Sequence, residues 1–127
     1  MSKNVVIIGG SIETYPGIEF CKKKNYKIIL VDGNKKCFCR ASADYFIHAS
    51  TYDYKSILKK IKKKFTDKLK IDAVLSVGAD VPYSVAYVAK KIGCRSIPLE
   101  TAKICADKLK FKKKIISNRI PTSKYII

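Results

Sequence analysis

A chain of 127 residues and 14.3 kDa fits one domain with a real core but is small for a complete multi-substrate enzyme. Its net charge is +17, yet only Arg40, Arg95 and Arg119 are arginines, so 24 of its 27 basic residues are lysine. That argues against specific nucleic-acid recognition, which favours the bidentate arginine fork, and leaves weak polyanion binding. No apolar run approaches the ~20 residues of a membrane span, and the Met-Ser-Lys-Asn start leads into a strand pattern rather than a signal-peptide core, so a cytoplasmic protein is expected.

Residues 5–8 are four consecutive β-branched residues running into Gly9, Gly10 and Ser11. So uniform an apolar run predicts a strand buried on both faces, the central first strand of a parallel sheet. Pro16 suits the first turn of a helix that should run to about Lys24, with Ile18 and Cys21 facing the sheet, Phe20 nearby and Asn25 as a left-handed stop. Residues 27–31 (Lys-Ile-Ile-Leu-Val) give a second buried strand ending in the turn Asp32-Gly33-Asn34. This strand, helix, strand order is the βαβ signature.

Residues 35–42 read as a loop or short helix, and residues 44–48 as a short strand near an edge. Tyr54, Ile57, Leu58, Ile61 and Phe65 set a helical period over 52–65, with lysines opposite. Residues 71–77 predict a fourth strand that delivers Gly78, Ala79 and Asp80 to the same carboxyl edge. A helix over 83–92 uses Val85, Val88, Ala89 and Ile92 and stops at Gly93. Residues 94–97 predict a brief fifth strand closed by Pro98. Residues 101–118 predict one or two helices with Ile104, Leu109, Phe111 and Ile115 or Ile116 inward, and residues 121–127 begin another extended segment, with Tyr125, Ile126 and Ile127 as the start of a strand. The fold class is α/β, a Rossmann-like open parallel sheet with helices on both faces.

Cys21, Cys37, Cys39, Cys94 and Cys105 are an odd, scattered set that predicts reduced thiols. Cys37 and Cys39 lack the usual zinc spacing, and the single His48 has no second histidine, so no metal site is expected and His48 reads as structural. A dinucleotide fingerprint would need Gly-x-Gly-x-x-Gly after the first strand. Asp32 fits the acid near the end of the second strand, but Ser11 and Thr14 stand at the required glycine places counted from Gly9. A phosphate-binding Gly-Lys-Ser/Thr is absent, and no base accompanies a Ser or Cys nucleophile. The residues by themselves describe a ligand-binding domain with anchors at Gly9, Gly10 and Ser11 and at Gly78, Ala79 and Asp80.

The ordered set Val5-Val6-Ile7-Ile8-Gly9-Gly10, Ile29-Leu30-Val31-Asp32-Gly33-Asn34, Ala43-Asp44-Tyr45-Phe46, Asp72 through Asp80, Asp107-Lys108 and Ile120-Pro121-Thr122 resembles the N-terminal domain that precedes the ATP-grasp fold in carboxylate-amine ligases, biotin carboxylase and carbamoyl phosphate synthetase. The resemblance implies a pre-ATP-grasp domain over residues 1–120, with residues 121–127 starting an ATP-grasp domain that is absent. It implies that Gly9, Gly10 and Ser11 line the substrate side of a cleft, offering backbone N–H groups to a carboxylate or phosphate. Asp80 matches an acid that holds the amine or another polar part of the substrate, with a helix N-cap as the alternative. Lys108 matches a lysine that reaches ATP phosphates, and Asp32 becomes a turn residue. The complete enzyme would use ATP and Mg2+ to activate a carboxylate as an acyl phosphate for attack by an amine. The fragment would be inactive alone, with no tight ATP binding of its own and no catalytic residue, and dimers can form through this domain in the family. The alternative is a stand-alone nucleotide- or dinucleotide-binding module.

Overall fold

The computed structural model describes residues 2–65 and 68–125. Four parallel strands, β1 (Asn4–Ile8), β2 (Lys27–Asp32), β3 (Tyr45–His48) and β4 (Ala73–Leu75), form one sheet in the order β3-β2-β1-β4. β1 is internal, as its β-branched run requires: Val5 is 3% exposed and Val6, Ile7 and Ile8 are fully buried.

Helices cover both faces. Val5, Ile7, Ile28 and Leu30 meet Ile18 and Cys21 of α1 (Tyr15–Lys23), together with Cys39. Val6, Ile8, Ile29 and Val31 meet Ile57, Ile61 and Phe65 of α2 (Tyr54–Phe65) and Val88 and Ala89 of α3 (Pro82–Ile92). The alternation of one strand's side chains thus feeds two cores. Local chemistry sets the helix ends: Pro16 lies in the first turn of α1, Asn25 (φ 56°) and Gly93 (φ 82°) turn left-handed after α1 and α3, and Asp53 Oδ1 accepts the Ser56 N–H at the start of α2.

Four expectations need correction. Residues 94–97 form no strand: the Cys94 N–H closes α3 on Ala89 O (2.9 Å), and Arg95, Ser96 and Ile97 are exposed, leaving no buried face to hold a fifth ladder. β4 keeps only three residues, because Asp72 turns its carboxylate onto the Asn4 N–H at one end while residues 77–79 bend toward Gly9 and Gly17 at the other. Phe20 is exposed on α1, beside Lys24. Of the apolar residues after Asp107, Leu109, Phe111 and Ile116 are exposed and only Ile115 is half-buried. The helical stretch is split into α4 (Leu99–Cys105), which packs on α3, and α5 (Lys108–Ser117), which packs on α4 and buries no residue. Residues 121–125 have no regular secondary structure, and the expectation of a strand through Ile126 and Ile127 lies outside the described residues.

Candidate functional site

The carboxyl edge of the sheet gathers four loops around a cleft of about 330 Å³. It is lined by Gly9, Gly10 and Ser11 after β1, Asp32 and Gly33 after β2, Ser50, Thr51 and Tyr52 after β3, and Gly78 and Ala79 after β4. This is where ligands sit in open parallel sheets.

Two glycines are fixed by space. Gly9 has φ 96°, and a Cβ there would lie 2.5 Å from Ala79 Cβ, so the first and fourth loops touch through a glycine. A Cβ on Gly10 would lie 2.7 Å from Cys37 Sγ and 3.0 Å from Leu30. The same loop spends its amides internally: Gly9 N–H donates to Val31 O (2.8 Å) and Gly10 N–H to Asp32 Oδ2 (2.7 Å). The amides of Gly9 and Gly10 expected for an anion are therefore occupied. Asp32 is a turn residue as expected, since Oδ1 accepts the Asn34 N–H (2.7 Å), and it also clasps the first loop.

Ser11 opens a short 3₁₀ turn, Ile12–Thr14. A hydrogen bond from Ser11 to the Glu13 carboxyl holds that group below its ordinary range. The Ser11 and Thr14 hydroxyls both crowd Gly78, and Thr14 Oγ1 is buried with no hydrogen-bond partner among the described residues. Burial raises the Cys37 thiol pKa, and Asp32 adds to the effect. His48 Nε2 lies 2.9 Å from Gly33 O, which puts the ring hydrogen on Nε2 and gives the histidine a structural partner.

The structure brings Gly9, Gly10 and Ser11 together in the cleft. Asp80 follows Ala79 and is exposed, outside the lining. It is not the cap of α3, which Val81 precedes without any side-chain cap. Lys108 begins α5, exposed and away from the cleft lining. Its neighbour Asp107 has a local task, accepting the Leu109 and Lys110 N–H groups at 3.0 Å each. Ser50, Thr51 and Tyr52 escaped the sequence reading. The available signal was three consecutive hydroxyl residues, separated from the strand only by Ala49. Among the described residues no three His, Cys, Asp or Glu side chains gather as metal ligands, and no helix is long and apolar enough to cross a membrane.

No family model matches the sequence, and no curated protein does. Solved structures do match the fold. Phosphoribosylglycinamide synthetase from Anaerococcus prevotii aligns with TM-score 0.79 and 19% identity over 96% of this chain and 30% of that one. L-amino acid ligase from Bacillus licheniformis aligns with TM-score 0.75 and 15% identity over 95% and 30%. N5-carboxyaminoimidazole ribonucleotide synthetase from Thermotoga maritima gives 0.72 and 22% over 96% and 32%. The chain spans about a third of the length of these enzymes. The fold is that of the N-terminal domain of ATP-grasp ligases.

Proposed function

We propose that this chain is the N-terminal, substrate-side domain of an ATP-dependent ligase that joins a carboxylate to an amine. The observation that carries the reading is the coincidence of fold and cleft. A four-strand parallel sheet shared with the N-terminal part of such ligases has its glycine loop, Gly9, Gly10 and Ser11, facing open space at the carboxyl edge.

In this reading residues 1–120 form the substrate-side domain and residues 121–127 lead into the ATP-grasp lobes. Ser11 presents polar groups to the substrate beside Gly9 and Gly10, which let the first loop pack against Ala79 and Cys37. Asp80 has no hydrogen-bond partner among the described residues and so keeps a carboxylate for a polar substrate group. Lys108 likewise carries an unpaired ammonium at an exposed helix start, which suits an ATP phosphate. ATP with Mg2+ would supply phosphoryl transfer to the carboxylate, making it an acyl phosphate open to an amine. A similar enzyme from Staphylococcus aureus, N5-carboxyaminoimidazole synthetase, was crystallised with ADP, which supports nucleotide use by the whole enzyme. The exposed apolar side chains of α5, Leu109, Phe111 and Ile116, support a neighbouring lobe.

The test is to follow the source gene past the Ile127 codon and assay its product. ADP should be released only when a carboxylate and an amine are both present, while the 127-residue chain should neither turn over ATP nor bind it saturably. Tight ATP binding by the chain alone would sink the proposal. A stand-alone dinucleotide module has less support, because Ser11 and Thr14 stand where its fingerprint requires glycines.

A further inference from the structure

The charge of the cleft opposes the charge of the chain. The protein carries a net +17, yet none of the described residues lining the cleft is a lysine or arginine. Its polar side chains are the hydroxyls of Ser11, Ser50, Thr51 and Tyr52 and the carboxylate of Asp32.

Backbone geometry points the same way. In a glycine loop that leads into a helix, backbone N–H groups can supply the donors for a phosphate. Here Gly9 N–H is bound to Val31 O and Gly10 N–H to Asp32, so a phosphate would meet a carboxylate with neither of these donors to offset it. Asp32 accepts one N–H on each oxygen, and a carboxylate has about four acceptor sites, so capacity for a further donor remains. The surrounding hydroxyls can accept as well as donate.

We propose that the cleft binds a small primary amine in its ammonium form, which becomes the nucleophile of the ligation only after losing a proton to solvent, and excludes phosphorylated substrates. This rests on the ligase reading and narrows its substrate class. Of the similar structures it sides with the L-amino acid ligase rather than the phosphoribosylglycinamide synthetase.

The experiment is a titration of the ¹⁵N-labelled 127-residue chain with L-alaninamide, its N-acetyl derivative and ribose 5-phosphate, followed through the amides of Gly10, Asn34 and Thr51. Alaninamide should move these signals, and N-acetylation should weaken binding by about tenfold or more, the worth of a hydrogen bond to a charged group. Tighter binding of ribose 5-phosphate at the same amides, or no response to alaninamide at tens of millimolar, overturns the inference. ATP turnover by the product of the extended gene tests the ligase reading separately. Phosphate preference together with turnover removes only the amine assignment, whereas alaninamide binding without turnover supports the amine site and removes only the ligase role.

Discussion

Asp32 Oδ2 accepts the N–H of Gly10 at 2.7 Å across 22 residues of sequence, tying the end of β2 to the loop after β1. The other oxygen closes the turn at Asn34, so one half-buried carboxylate organises two of the four cleft loops. Asp32→Ala leaves two amides without acceptors and should cost about 1.5–3 kcal/mol, the range for hydrogen bonds to a charged group. Urea unfolding with an unchanged slope checks this. A midpoint equal to that of the parent would show that water replaces the carboxylate without loss.

Gly9 and Gly93 separate backbone strain from crowding. Both have positive φ, but a Cβ on Gly93 meets nothing within 4 Å, whereas one on Gly9 meets Ala79 Cβ at 2.5 Å. Gly93→Ala should therefore cost about 1–2 kcal/mol, the left-handed penalty alone. Gly9→Ala should cost about 1–3 kcal/mol beyond that from overlap. Because the clash is with a side-chain carbon, Gly9→Ala combined with Ala79→Gly should recover the overlap part. A double-mutant cycle showing no coupling would mean the loops do not touch as described.

The parts legible in the sequence are those governed by local pattern. Residues 5–8 could only be a buried strand, and the lysine-backed period of α2 and the stops at Asn25 and Gly93 follow from short-range sterics. What the pattern could not supply was tertiary partnership. Residues 94–97 have strand-like composition but no face to bury, and the period of Leu109 and Phe111 marks an apolar stripe without naming what covers it. The cleft was half legible for the same reason. Glycines at a strand end are visible in one dimension, but the Asp32 to Gly10 clasp and the place of Ser50, Thr51 and Tyr52 require the sheet order.

Asp107 gives a pH test of the α4–α5 junction. The hydrogen bond from the Lys110 N–H, helped by the Lys110 ammonium 3.6 Å away and the Leu109 N–H, holds its carboxyl below the ordinary range against the opposing effect of desolvation. A carboxyl depressed in the folded state contributes stability that is fully present above its unfolded value of about 4 and is lost as pH falls through the folded value. Asp107→Asn should keep the cap, since asparagine caps as well as aspartate, while flattening this part of the acid dependence. Asp107→Ala should lose both and fray the first turn of α5. Circular dichroism between neutral pH and pH 3 distinguishes them, and identical curves for all three proteins would refute the assignment.

Cysteine reactivity should report burial in order. Burial raises the thiol pKa of Cys21, Cys37, Cys39 and Cys94, while Cys105 is exposed on α4. A raised thiol pKa means less thiolate at neutral pH, and the thiolate is the nucleophile. Cys105, the exposed thiol, should therefore alkylate with iodoacetamide before the others. Peptide mass spectrometry over a time course reads the order. Early modification of Cys37 would mean that the loop packed on Gly10 opens freely.

The free edge of the sheet is guarded by α2. Lys60 Nζ donates to His48 O at 2.5 Å and Lys64 Nζ to Phe46 O at 3.3 Å, so two carbonyls of β3 that β2 does not pair are occupied by lysines. Lysine over an exposed edge is a known defence against strand pairing between molecules, because a second strand would have to displace or bury the charge. Replacing Lys60 and Lys64 together with Ala should barely alter monomer stability, since each exposed bond contributes about 1 kcal/mol or less. It should raise self-association. Sedimentation velocity over a tenfold concentration range should show the double variant shifting to larger species at concentrations where the parent does not. Equal behaviour of the two proteins would mean that the edge is protected by the twist and short length of β3 alone, and that the lysines serve only solubility.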